Sequence, residues 1–147
     1  MPPTARKTGT ARLRSQAFRR IRADHQSELA EDYVELIADL IDEKGEARGS
    51  DVALRLGVAN ATVVKTLKRL QDAGLVTQEP YRSIFLTGEG WRMAEGGRRK
   101  HRIVEGFLLA LGVTEATARI DSEGIEHHVS EETLRAMARF LARGRTG

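Results

Sequence analysis

The stretch Asp51-Val52-Ala53-Leu54-Arg55-Leu56-Gly57-Val58-Ala59-Asn60-Ala61-Thr62-Val63-Val64-Lys65-Thr66-Leu67-Lys68-Arg69-Leu70 decides the fold. Val52, Ala53 and Leu56 sit at helical spacing, with Ser50 as an N-cap and Asp51 complementing the helix dipole. Leu56-Gly57-Val58 is a sharp turn, since glycine reaches positive φ without a Cβ clash. A second helix runs from about Asn60 to Ala73, with Val63, Leu67 and Leu70 one helical turn apart and Gly74 closing it. Two short helices across a glycine turn form a helix-turn-helix. With that stripe buried, Ala61, Thr62, Lys65, Lys68 and Arg69 face outward. The small residues allow close approach to base edges, and Thr62 can meet a base or a thymine methyl. Lys65 can reach a guanine edge or a phosphate, while Lys68 and Arg69 suit phosphates. Ser50, Asn60 and Arg82 complete the candidate DNA contacts. Ala59 stands where a capping Ser or Thr is expected, so Asn60 is the substitute cap. Similar helices occur in protein–protein modules. The glycine turn, the basic outer face and the following hairpin favour DNA.

Working outward, Leu29, Tyr33, Leu36, Ile37, Leu40 and Ile41 trace one apolar helix face that ends at Gly45. Downstream, Leu75-Val76-Thr77 and Ser83-Ile84-Phe85-Leu86 read as a hairpin around Pro80, with Arg82 at its tip. Thr87 caps a helix from about Gly88 to Leu111, whose inward stripe includes Gly97, His101, Val104 and Leu108. Thr114 caps another helix to about His128, and Ser130 caps a last one carrying Leu134, Met137, Ala138 and Leu141. The fold class is mostly α. A winged helix-turn-helix at 23–87 precedes a helical unit at 88–147, which forms a dimerisation domain or completes a monomeric bundle. No internal repeat is present.

Hydrophobic content of 40% and charged content of 31% describe a globular chain with a mainly aliphatic core. Absence of cysteine excludes disulfides and thiolate metal sites. No apolar run approaches the roughly 20 residues of a membrane span, and no apolar core follows the basic N-terminus, so a cytoplasmic protein without a membrane partner is expected. The formal charge of +3 is uneven. Residues 1–22 hold Arg6, Lys7, Arg12, Arg14, Arg19, Arg20 and Arg22 and no acid, leaving −4 on the remainder. Pro2, Pro3, Gly9 and several threonines make residues 1–15 read as unstructured, and 1–22 as a basic arm. A basic arm suits a polyanion such as DNA or is a solvated tail.

Glu123-Gly124-Ile125-Glu126-His127-His128 concentrates carboxylates and imidazoles on a predicted helix. Glu123 and His127 are neighbours at i,i+4, and Glu123 and Glu126 at i,i+3. Such a group is costly unless a cation sits within it, and oxygen and imidazole donors suit a divalent first-row metal. A solvated acidic turn with one packed histidine is the plainer alternative. Asp32 and Glu35 lie i,i+3 beside an apolar face, where a solvated position is ordinary. His101 lies on an inward stripe, where a satisfied core histidine is ordinary. Convergence of all six would form a metal centre.

The chain resembles the manganese transport regulators, a branch of the diphtheria-toxin-repressor-like metalloregulators, from about Glu28 to Leu141. The resemblance is carried by Asp32-Tyr33-Val34-Glu35, Lys44-Gly45-Glu46-Ala47-Arg48, Leu67-Lys68-Arg69-Leu70, Phe85-Leu86-Thr87, Lys100-His101-Arg102 and Glu123-Gly124-Ile125-Glu126-His127-His128-Val129-Ser130. It implies metal ligands at Asp32, Glu35, His101, Glu123, Glu126 and His127. It also implies a homodimer, two Mn(II) per protomer, and metal-dependent repression at a palindromic double-stranded operator, with manganese uptake as the controlled process. The chain departs from relatives in its basic arm and in lacking the SH3-like domain of the iron-responsive branch. That branch has Met where Asp32 stands here, and a hard carboxylate favours Mn(II), although Fe(II) or another divalent ion fits the same donor types. Two other readings are an Fe(II)-responsive regulator and a winged-helix sensor of an organic ligand. An enzyme is not expected: no His-Glu-x-x-His, paired Glu-x-x-His or glycine-rich phosphate loop occurs, and no small organic substrate is implied.

Overall fold

The computed structural model describes residues 4–79 and 82–144, the side chains of 4–8 and 20–26 excepted. Six helices and one two-stranded sheet are present among the described residues: α1 Thr4–Lys44, α2 Gly49–Leu56, α3 Asn60–Asp72, β1 Val76–Thr77, β2 Phe85–Leu86, α4 Gly88–Ala110, α5 Glu115–Ile125 and α6 Glu131–Arg143. Pro80, expected in the wing turn, lies outside the described residues.

The winged helix-turn-helix is built around α1. Tyr33, Val34, Ile37 and Leu40 are buried against Val52 of α2, Val63, Leu67 and Leu70 of α3, Val76 and Leu86 of the wing, and Ala94 of α4. Of the expected stripe, Tyr33, Ile37 and Leu40 are buried, Leu36 and Ile41 pack against the core and Leu29 is exposed, while Val34 and Ala38 widen the buried face. Gly57 adopts φ 66°, as the turn between α2 and α3 requires. In the wing, Val76 pairs with Leu86 and Thr77 with Phe85, antiparallel. The Ile84 amide donates to the Ala47 carbonyl at 2.8 Å, which pins the chain before α2 to the wing. Thr87 caps α4 by accepting from the Gly90 amide at 3.1 Å and donates its hydroxyl to the Gly74 carbonyl at 2.6 Å. One side chain thereby joins wing and helix. The later part of α4 packs with α5 and α6 through the buried Val104, Ala118 and Leu134.

Four local expectations are corrected. The α2 helix starts at Gly49, with Arg48 rather than Ser50 at the N-cap. The Ala47 bridge frees the chain at Arg48, whose carbonyl then accepts from the Asp51 and Val52 amides. At α3 the N-cap is Ala59 without a side-chain hydrogen bond, and Asn60 is already helical. Helix α5 ends at Ile125, so Glu126 is its C-cap and His127 lies in the following turn. Finally, α1 reaches back to Thr4, where an unstructured arm was expected. After Pro3 nothing breaks a helix but Gly9, and Ala, Arg, Lys, Gln and Leu are strong helix formers.

Candidate metal centre

Three elements meet where α1 crosses the junction of α4 and α5. Helix α1 supplies Glu28, Glu31, Asp32 and Glu35, α4 supplies His101 and Glu105, and α5 with its C-terminal turn supplies Glu123, Glu126 and His127. Two trios have donor atoms close enough to share an ion: Glu28, Asp32 and His127, and His101, Glu123 and Glu126. Five of the six expected ligands fall in these trios. The early end of α5 separates Glu123 from His127, so the expected i,i+4 pair divides between them. The trios adjoin through His127 Nε2 and Glu126 Oε1, 3.6 Å apart.

Each imidazole is held at one nitrogen by a carboxylate that sequence reasoning missed. His127 Nδ1 lies 2.7 Å from Glu31 Oε2, and its Nε2 faces Asp32 Oδ1 at 3.1 Å. His101 Nε2 lies 2.8 Å from Glu105 Oε2, while its Nδ1 faces Glu126 Oε2 at 2.8 Å and Glu123 Oε1 at 3.5 Å. Placement between carboxylates at both nitrogens favours the imidazolium form. Hydrogen bonds to Asp32 and Glu31 raise His127 to about 10, overcoming burial. Burial opposes charge on His101, yet Glu126, Glu123 and Glu105 raise it as well. On Glu31 burial works upward, but the His127 hydrogen bond and the Lys100 charge hold the carboxyl below its ordinary range. The signal for Glu31 and Glu105 was available: each is one helical step from a candidate, Glu105 at i+4 from His101.

Glu35 lies beside these trios rather than inside either. Burial, then the charge of Glu126, pushes it to about 7. Its carboxylate occupies a slot opened by Gly97, where a Cβ would stand 1.8 Å from Oε1. Glu126, with a side chain only 1% exposed, is also raised, by burial and then by Glu123. Glu35 Oε1 and Glu126 Oε1 are buried without a hydrogen-bond partner. A buried carboxylate oxygen with no donor is expensive, and a cation offsets that cost.

The matches to known proteins fall on both halves of this arrangement. Residues 25–84 match the iron dependent repressor N-terminal DNA binding domain, and 87–146 its metal binding and dimerisation domain. The chain belongs to the iron dependent repressor family. Among curated relatives, the transcriptional regulator MntR of Escherichia coli O6:H1 is 56% identical over 125 residues, 85% of this chain and 81% of that protein. Its counterpart in Salmonella typhimurium is 54% identical over the same length, 85% of this chain and 80% of that one. A solved manganese-dependent transcriptional repressor in complex with manganese superposes with TM-score 0.69 at 28% identity, covering 77% of this chain and 52% of that one. The chain thus spans about half the length of that structure.

The DNA-reading candidates of this repressor-family chain all lie at the surface. Ser50, Asn60, Ala61, Thr62, Lys65, Lys68, Arg69 and Arg82 are exposed. Arg82 pairs with Glu79 at 3.1 Å on the wing, a contact that water screens. Val64, on the outward face of α3, is exposed as well and was not among the expected contacts. No described helix is long and apolar enough to cross a membrane.

Proposed function

We propose that this chain is a Mn(II)-activated transcriptional repressor that binds a palindromic operator as a homodimer and restrains manganese uptake. The observation carrying this reading is the pair of adjoining His-and-carboxylate trios, with buried, unpartnered oxygens on Glu35 and Glu126, drawn from both halves of a repressor-family chain. Asp32, Glu35, His101, Glu123, Glu126 and His127 would hold two divalent ions, and all-oxygen-and-imidazole donors fit Mn(II). The ions supply positive charge that this acidic cluster otherwise takes from protons. Glu31 and Glu105 act outside the ligand set by fixing ring orientation and ring tautomer.

Position explains how the site would control DNA binding. Asp32 and Glu35 share α1 with Tyr33, Val34 and Ile37, which form the floor under α2 and α3. Tying α1 to His101, Glu123, Glu126 and His127 therefore fixes the reading helix relative to α4–α6. A two-fold dimer then spaces two copies of α3 about one DNA turn apart, near 34 Å. Exposed Ile120, Leu111 and Leu109 on the α4–α5 side support a self-association surface there.

The test is titration of chelator-treated protein with Mn²⁺, following free Mn²⁺ by electron paramagnetic resonance, with operator binding measured in parallel. About two ions per protomer are expected. Glu126→Ala should lower both stoichiometry and metal-dependent DNA binding while leaving a folded dimer, because Glu126 borders both trios. Full retention of the Mn²⁺ response in that variant would remove the site assignment. Anaerobic competition with Fe²⁺ separates the manganese from the iron reading.

A further inference from the structure

The N-terminal part of α1 is unlike the rest of the molecule. Residues 27–44 join the winged-helix core, whereas every residue from Gly9 to Arg19 is exposed. Leu13 and Phe18 are 67% and 63% exposed, so nothing described in the protomer covers this stretch. From Thr4 to Ser27 the helix adds about 36 Å at 1.5 Å per residue. Between Gly9 and Arg19 it carries Arg12, Arg14 and Arg19 and no acidic residue, so this stretch has none of the opposite-charge i,i+4 pairs that stabilise a solvated helix. Tertiary packing, the main source of helical stability in proteins, is missing along this described stretch. An anionic partner along it would relieve both deficits.

The distribution of charge selects the partner. At 100° per residue, Arg12 and Arg19 fall on one side of the helix and Arg14 on the opposite side. A membrane surface engages one basic face and needs an apolar face below it, which this segment lacks. Duplex DNA presents phosphates on both walls of a groove, which suits a rod with basic groups on opposite sides. The remaining 125 residues hold 17 of the 24 basic side chains and all 21 acidic ones, a balance of −4. Without the arm, the body carries net charge of the same sign as DNA, and the arm supplies the longer-range attraction.

We propose that the N-terminal segment of α1 is a second, sequence-independent DNA contact, gripping phosphates beside the site that α3 reads. This rests on the DNA-binding reading above and extends it to a separate surface.

The test compares the full chain with the triple variant Arg12→Gln, Arg14→Gln and Arg19→Gln. Glutamine keeps helix propensity and volume while removing charge. The probe is a fluorescein-labelled 40-base-pair mixed-sequence duplex, titrated with Mn²⁺-loaded protein between 50 and 200 mM KCl. Each lost phosphate contact lowers the slope of log K against log salt by about 0.9, so three lower it by about 2.7. The parent-to-variant affinity ratio should then change about 40-fold across that salt range. Circular dichroism should show helicity rising on DNA addition in the parent more than in the variant. An unchanged slope, with Lys65→Ala/Lys68→Ala lowering it, would overturn the arm contact and leave the DNA-binding reading intact. Failure of the parent to bind any duplex would overturn both. Binding to anionic vesicles that the triple variant loses, with an unchanged DNA slope, would assign the arm to a membrane and also overturn the proposal.

Discussion

Metal uptake by this site should expel protons, and their number follows from the groups in place. His127 is raised to about 10 between Asp32 and Glu31, so it carries a full proton at pH 6, 7 and 8. Burial beside Glu126 raises Glu35 to about 7, so it holds about 0.9, 0.5 and 0.1 proton at those pH values. An imidazole nitrogen or carboxylate that takes a cation must give up its proton. Release of at least about 1.9, 1.5 and 1.1 protons per protomer is therefore expected at pH 6, 7 and 8, with His101, also raised, adding to these. Affinity must rise with pH by the number released, which amounts to about a thousandfold from pH 6 to pH 8. Free Mn²⁺ can be followed by its paramagnetic resonance while a pH-stat counts protons in unbuffered solution. A flat affinity with no protons released would refute the imidazolium assignment and the placing of Glu35 at the metal.

The same shifts govern stability without metal. Both groups are raised above their ordinary values of 6.5 for His127 and 4.5 for Glu35. Their contribution is complete below those values and is lost as pH climbs through about 7 for Glu35 and about 10 for His127. The melting temperature of metal-free protein should fall between pH 6 and pH 9, while the increment produced by Mn²⁺ grows. A metal increment independent of pH would contradict the linkage.

Three substitutions test other parts of the argument. Gly97→Ala forces the Glu35 carboxylate out of its slot, since the new Cβ would meet Oε1 at 1.8 Å, yet alanine favours the helix by up to about 1 kcal/mol; a folded protein with altered Mn²⁺ affinity is expected, and unchanged affinity would remove Glu35 from the ligand set. Lys65→Ala should weaken operator binding without altering Mn²⁺ affinity, and equal operator affinity would move the reading face elsewhere. Ala59→Ser supplies the acceptor that α3 lacks at its N-cap and should raise stability by about 1 kcal/mol in a denaturant titration, no gain showing that the cap position is already satisfied.

Periodic features were readable from sequence, and features set by tertiary crossings were not. Val63, Leu67 and Leu70 one helical turn apart identified α3, and Thr87, Thr114 and Ser130 each cap the helix they precede. Ser50 failed as a cap because the start of α2 is set by a long-range bridge between Ala47 and Ile84, which no local pattern announces. The buried face of α1 is wider than the stripe of Tyr33, Ile37 and Leu40 and takes in Val34 and Ala38, because this one helix packs against α2, the wing and α4 together. At the site, residue types pointed to the six candidates, but their division into two trios depends on where α5 stops. Glu31 went unnoticed because an acidic residue on a helix reads as solvated until a histidine from another element is placed against it, whereas Glu105, at i+4 from His101 on α4, was within reach of the sequence.

Helix α1 explains why a metal site here can govern DNA binding. Around Tyr33 to Leu40 it is the floor of the winged helix-turn-helix, and Asp32 and Glu35 project from the same turns toward α4 and α5. The His127 imidazolium bridges α1 to the turn after α5, through Glu31 and Asp32. The two ends of the site are thus held by hydrogen bonds to a removable proton. A divalent ion would bring more charge, more ligands and no proton to lose, so it holds the same elements under conditions that weaken the imidazolium tie. The coupling is reciprocal: whatever Mn²⁺ contributes to fixing α3, bound DNA must return as tighter Mn²⁺ binding by the same factor. Adding operator duplex to half-saturated protein should therefore lower free Mn²⁺, and DNA binding that left free Mn²⁺ unchanged would show that α1 does not transmit the signal.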